Sequence, residues 1–250
     1  MTIKLLGTSH ISKQSVDEIK QEIENYTPDI VAVELDQQRA IALLSEQKNK
    51  VSITQILQIG VKGYLFVKIG GYVQQKLGKM VGIAPGSDMK QAIILAKKNN
   101  LQVALIDQPI NITLKKFSKN LTFKEKFRFL ADILKGLILP KRFLKEHKLL
   151  KFDLTKVPPN ELIEKLIDNL RQRYPSVYKT LIEDRNKYMV KRLIHLKRKY
   201  PDKSILAIIG AGHKKGMKEL LLKIDIVGTN KPQEEKKLIK NNKTSLNEQS

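Results

Sequence analysis

Four histidines occur among the 250 residues, at positions 10, 147, 195 and 213, and two of them share one setting. His10 and His213 each close a G-x-x-H motif, Gly7-Thr8-Ser9-His10 and Gly210-Ala211-Gly212-His213, directly after an apolar run. Glu34 follows another apolar run, with Asp36 two residues on, and Asp107 follows a fourth. Two imidazoles and a carboxylate suit a divalent transition metal with an open coordination position, as in His₂Glu hydrolytic sites. The chain has no cysteine, which excludes a thiolate site, a cysteine nucleophile and a disulfide framework. Mn, Co or Zn would therefore be held by nitrogen and oxygen, with His10, His213, Glu34 and Asp107 as the candidate ligands. The competing reading is two unrelated surface histidines near turns. Asp36 also reads as the N-cap of a following helix, and Asp107 as a loop cap.

Arg185 is the second chemical anomaly, because Leu181, Arg185 and Met189 fall on one stripe at i, i+4 and i+8. A guanidinium among apolar side chains costs free energy unless it has a partner. It either pairs with an acid on a neighbouring element or reaches the site and binds an anionic group of a substrate or transition state. Asn186 stands next to it. His147 and His195 lie in basic helical stretches and read as solvated surface residues.

For these groups to meet, the chain must bring several strand ends together. The pattern predicts a strand over Ile3–Leu6 and a helix from Ser12 to Tyr26 with a Ser15-x-x-Glu18 capping box. The continuous run Ile30-Val31-Ala32-Val33 reads as a strand buried on both faces, followed by a helix from Gln37. A turn at Pro85-Gly86, a helix over Asp88–Lys98 and a strand over Val103–Ile106 come next. From 112 to 200 only helices are expected, broken at Pro140, Pro158-Pro159 and Pro175. A strand over Ile205–Ile209, a helix from about His213 and a last strand over Ile224–Val227 complete the pattern. This predicts an α/β fold with a central, mainly parallel sheet flanked by helices and a helical insertion over 112–200. Residues 1–228 form one domain in this reading, and 229–250 a polar, disordered tail. Ligands in such sheets bind beyond the carboxyl ends of the strands, which is where His10, Glu34, Asp107 and His213 fall. The glycines of the two G-x-x-H motifs are expected to supply sharp strand-to-loop turns.

The formal charge of +22 points to an anionic partner, but its distribution narrows the choice. Residues 1–39 hold four basic and seven acidic side chains, whereas Leu114–Leu150 holds eleven basic and three acidic. Specific nucleic-acid binding is not expected, since no recognition motif occurs and tryptophan is absent. The stretch Gln47–Ser87 has no acidic residue and mixes lysines with Ile, Leu, Val, Tyr and Phe. It reads as a membrane-surface segment or as a buried helix pair with solvated lysines. No signal peptide or spanning helix is read, so a cytoplasmic protein with peripheral contact to an anionic membrane is expected.

Six ordered motifs carry a family resemblance. G-T-S-H-I-S (Gly7–Ser12), V-A-V-E-L-D-x-x-R (Val31–Arg39), P-G-S-D-M (Pro85–Met89), L-I-D (Leu105–Asp107), E-D-R-N-K-Y-M (Glu183–Met189) and G-A-G-H (Gly210–His213) resemble the TraB/PrgY, or pheromone shutdown, family. That family is similar to the Tiki metalloproteases and, more distantly, to erythromycin-esterase-like and ChaN-like proteins. The resemblance implies a metal-dependent hydrolytic site with His10 and His213 as ligands and Glu34 as ligand or general base. It implies Arg39 and Arg185 as anion-binding or orienting groups and Asn186 as a polar companion. Arg39 rests on the motif alone. Two departures stand out: Gln108 and Pro109 follow the L-I-D aspartate where many relatives have an arginine, and a polar C-terminus stands where many continue into membrane-spanning segments.

The resulting expectation is a metal-dependent hydrolase acting on a peptide or another small carbonyl substrate. A non-catalytic peptide-binding or sequestering protein is the alternative, and homo-oligomerisation is open to either.

Overall fold

The computed structural model describes residues 3–8, 13–45, 86–138 and 160–224. Strands β1 (Ile3–Thr8), β2 (Ile30–Val33), β3 (Gln102–Leu105) and β4 (Ile205–Gly210) form one all-parallel sheet in the order β1-β4-β2-β3. Every residue of β2 and β4 is buried. Strands covered on both faces need no polar alternation, which is why these two read as unbroken apolar runs.

Parallel strands demand crossovers, and their right-handedness decides which face each helix covers. The steps from β1 to β2 and from β2 to β3 run the same way along the sheet. They lay α1 (Lys13–Tyr26), α2 (Gln37–Leu44) and α3 (Ser87–Lys98) on one face, where Ile19, Ile23, Ala40, Met89, Ala92 and Ile93 pack on Val31, Val33, Leu206 and Ile208. The return from β3 to β4 runs the other way. It contains α4 (Ile110–Asn120), α5 (Phe123–Ile138), α6 (Asn160–Arg173), α7 (Pro175–Tyr178), a π-helical turn (Lys179–Glu183) and α8 (Asp184–Lys199). Met189, Val190 and Leu193 of α8 cover the second face, together with Met217 and Leu221 of α9 (211–224), over Ile30, Ala32, Ile205, Ala207 and Ile209. Alternate residues of the same strands thus serve two separate cores, as a period of two requires.

The α/β class and the parallel sheet flanked by helices are as the sequence predicts, the described residues of 112–200 hold helices and no strand, and Pro175 opens α7 at its first turn. Three details differ. Ser15 lies inside α1, fully buried, and does not cap it. A capping box instead starts α5: the Thr122 hydroxyl accepts from the Glu125 N–H at 3.3 Å, while the Glu125 carboxylate accepts from the Thr122 N–H at 3.1 Å. The strand expected from Ile224 is overturned at its first residue, since Ile224 ends α9, and 225–227 lie outside the described residues. The G-x-x-H glycines are not turn residues either. Among the described glycines only Gly86 has a positive φ, +80°, at the N-cap of α3, whereas Gly7 and Gly210 are extended members of β1 and β4. Gly7 lies in a tight place: a Cβ there would stand 3.2 Å from both the Ala211 Cα and the Lys214 Cδ, so a neighbour would have to give way. The breaks at Pro140 and Pro158-Pro159, His147, the acid-free stretch apart from its last two residues, and the C-terminal tail fall outside the described residues. His195 is exposed, as expected of a solvated residue.

Candidate active site at the carboxyl edge of the sheet

Neighbouring strands send the chain to opposite faces. β1 and β2 lead into α1 and α2 on one side, and β4 leads into α9 on the other. β3 leads into α4, which packs against the π turn that continues into α8. A crevice between diverging connections is the usual ligand position in an open parallel sheet. The pairing β1-β4-β2 also makes the three strands that carry His10, His213 and Glu34 neighbours, with Thr8 opposite Gly210 in register.

Glu34 is the first residue past β2, and its N–H still donates to the Ile208 carbonyl at 3.0 Å, so its side chain is delivered to the end of β4. There Oε2 accepts from the Gly210 N–H at 2.6 Å. Oε1 faces Nε2 of His213 at 3.3 Å and also accepts from Nη2 of Arg185. Asp107, the second residue past β3, accepts from Nε and Nη2 of Arg185 at 3.0 and 2.7 Å, and from Nη2 of Arg39. Arg39 in turn donates through Nε to Asp36 at 2.8 Å. Asp36 caps α2, accepting from the Arg39 N–H at 3.0 Å, and also takes the Ile110 N–H at 3.2 Å. His213, Glu34, Arg185, Asp107, Arg39 and Asp36 therefore form one connected network across three strand ends, with charges alternating from Glu34 to Asp36. Burial alone would lower the Arg185 guanidinium, but the carboxylates of Glu34 and Asp107 outweigh it and hold it above the ordinary arginine value.

The π turn explains how Arg185 and Asn186 reach this edge. The Asp184 N–H donates to the Lys179 carbonyl, one residue further back than in an α-helix. The extra residue turns everything after it by about 100° relative to what precedes. Arg185 still returns Nη1 to the Leu181 carbonyl at 3.2 Å, which ties it across the turn. Asn186 is buried, and its Oδ1 lies 2.7 Å from Nδ1 of His213. An amide oxygen only accepts, so Nδ1 carries the hydrogen and Nε2 is presented to Glu34. The room for Asn186 comes from Gly216 on α9, where a Cβ would lie 2.5 Å from the Asn186 Nδ2.

His213 and Glu34 bring together two donor types, imidazole nitrogen and carboxylate oxygen, that suit a divalent cation. The His213 Nε2 and the Glu34 Oε1 face each other at 3.3 Å. The far ring nitrogen is held by Asn186, the kind of outer contact that orients ligating histidines. Among the described residues no group of three His, Asp or Glu converges as a ligand cluster, and His10 lies outside the described residues. The Asp107 carboxylate is turned to its two arginines and, through Oδ1, to the Gln108 N–H at 2.7 Å. Gln108, read from the sequence as a departure from the family motif, donates to the Thr113 hydroxyl at 2.8 Å. Its neighbour Asp107 nonetheless has two guanidinium contacts.

Two contributors carried no expectation. Asp88, fully buried in the first turn of α3, accepts the Thr8 hydroxyl at 2.5 Å and the Met89 N–H at 2.7 Å, fixing the end of β1. The P-G-S-D-M motif contained it, but an acid in a first helical turn reads as an ordinary dipole partner. A groove of about 580 Å³ lies between α6 and α9, lined by Ile163, Ile167, Tyr178, Ile182, Gly212 and Gly216 among others; of the site residues it reaches only Asn186.

Residues 1–225 match the model of the TraB/PrgY/gumN family. An uncharacterized protein of Methanocaldococcus jannaschii is 35% identical over 225 residues, covering 89% of this chain and 54% of that protein. The TraB domain-containing protein of Homo sapiens is 24% identical over 245 residues, 87% of this chain and 62% of its own length. Its Bos taurus counterpart is 22% identical over the same span. The chain thus spans little more than half to just under two thirds of the length of these relatives. The family model covers residues 1–225, and the chain belongs to the TraB/PrgY/gumN family.

Proposed function

We propose that the chain is a metal-dependent hydrolase acting on peptides, with its reacting centre at the carboxyl ends of β1, β4 and β2. The observation that carries this reading is the His213–Glu34 pair, oriented on one side by Asn186 and on the other by the Gly210 N–H. His10, His213 and Glu34 would hold a divalent ion, which when bound supplies Lewis acidity toward a carbonyl and lowers the pKa of water. Glu34, which pairs with Arg185, would serve either as a ligand of that ion or as the general base toward water. Arg185 stays charged and offers fixed positive potential to negative charge developing on the substrate. Asn186 keeps the His213 ring in one tautomer. Asp107 and Arg39 hold Arg185 in place from behind.

One observation favours the binding-only alternative: both oxygens of Glu34 are already engaged by neighbouring groups. Metal uptake and turnover separate the two. Purified protein should take up about one Mn²⁺, Co²⁺ or Zn²⁺ per chain, and His10→Ala and His213→Ala should each abolish uptake while leaving the circular dichroism spectrum intact. Undiminished uptake in either variant overturns the metal assignment. Uptake without cleavage of any member of a broad peptide library would hand the site to the sequestering function.

A further inference from the structure

In helix α5 the polar side chains of Glu125, Arg128 and Asp132 face the protein. Glu125 is buried and accepts the Ser176 N–H at 2.7 Å, closing the start of α7 as well as its own. Arg128 donates to the Arg173 carbonyl at 2.5 Å, and Asp132 accepts from Arg173 Nε at 2.7 Å and from the Tyr174 hydroxyl at 2.5 Å. Positions 125, 128 and 132 form one helical face, and this face docks on the corner between α6 and α7. The opposite stripe at i, i+4 and i+8 is Phe123, Phe127 and Ala131, all exposed, with the two rings 78% and 74% accessible. A surface helix normally buries its apolar stripe and solvates its charges, so two outward phenylalanines one turn apart mark a contact surface.

The charge around the stripe indicates what it meets. Glu125 and Asp132 are the only acids in α5, and both are turned inward to partners. Lys124 is exposed beside Phe123, and the Lys126 ammonium lies 4.4 Å from the centroid of the Phe123 ring. Within α5 the basic residues Lys124, Lys126, Arg128 and Lys135 outnumber the acidic pair Glu125 and Asp132. Aromatic tips flanked by cations with no outward acid are the composition of a helix that lies in a bilayer interface, rings among the acyl chains and ammonium groups among anionic headgroups.

We infer that α5 is a peripheral membrane contact that seats Phe123 and Phe127 in an anionic lipid surface. The acid-free stretch apart from its last two residues lies outside the described residues, and this inference rests on α5 alone and is independent of the catalytic reading. The test is flotation of the full chain with large unilamellar vesicles of phosphatidylcholine alone or with about 30% phosphatidylserine, at low and high salt. Wild type should float with the anionic vesicles, at least about tenfold more than with neutral ones, and less at high salt. Phe123→Ser with Phe127→Ser should lower the bound fraction about tenfold or more while thermal melting stays unchanged, because neither ring supports the fold. Absence of wild-type flotation, or flotation unaffected by the double change, overturns the inference. So does a dimer in analytical ultracentrifugation that the double change disperses without vesicle binding, since the stripe would then belong to a second copy, and so does retention on an acidic protein with no lipid binding.

Discussion

Replacing Gly216 by alanine should change stability in opposite directions depending on whether Asn186 is present. Gly216 lies within α9, where an ordinary Gly→Ala change favours the helix by about 1 kcal/mol. Here the new Cβ would stand 2.5 Å from the Asn186 Nδ2, so the amide must withdraw by roughly 1 Å to reach a normal contact distance. Asn186 is not free to do so cheaply, because its Oδ1 lies 2.7 Å from His213 Nδ1 and both residues are buried. Overpacking of this kind costs about 1–3 kcal/mol, leaving a net loss of about 0–2 kcal/mol with Asn186 in place. In an Asn186→Ala background the obstacle is gone, and the same change should gain up to about 1 kcal/mol, or about 2–4 °C in melting temperature for a chain of this size. Denaturant unfolding of the four proteins of this cycle measures the coupling directly. If Gly216→Ala acts with the same sign and size in both backgrounds, the steric reasoning that links α9, Asn186 and His213 is refuted.

Arg185→Met should destabilise the fold by about 3–5 kcal/mol, because it strands the buried carboxylates of Glu34 and Asp107. Arg185→Lys should recover only part of that, since an ammonium cannot span two carboxylates as the guanidinium fork does; equal stability of the two variants in chemical denaturation would contradict this. Burial and the neighbouring Asp132 carboxylate push the Tyr174 hydroxyl up to about 12. The unfolded chain therefore ionises this tyrosine first, and stability should fall as pH rises from about 10 toward 12. That loss should vanish in Tyr174→Phe, as read from melting temperatures across the alkaline range.

The strand ends were legible because a parallel sheet leaves two simple marks, short unbroken apolar runs and chemistry just after them. Glu34, Asp107 and His213 were found that way, and Asp36 announced itself as a cap. The connections among them were not legible. That Arg185 joins Glu34 to Asp107, and that Arg39 backs it, depends on a π turn and on strand order, neither of which has a local signature in the sequence. The capping boxes show the same limit: Ser15-x-x-Glu18 and Thr122-x-x-Glu125 look alike as text, and only the second begins its helix, since the first lies within the buried side of α1. Gly7 was correctly singled out for the wrong reason, because the crowding by Ala211 and Lys214 comes from residues two hundred positions away.

The place of β4 has a consequence for how the fold can be made. Its residues come after those of the other three strands, yet it sits between β1 and β2, which have no pairing with each other. During synthesis the first half of the chain can pair β2 with β3, but β1 has nothing to dock on until about residue 205 has emerged. Closing a parallel sheet around a late central strand is a high-contact-order event and correspondingly slow. Both flanking edges stay open until that moment, and open strand edges are where chains associate wrongly. The His213–Glu34 pair is assembled by the same insertion, so the candidate site and the continuous sheet would appear together in a single late step.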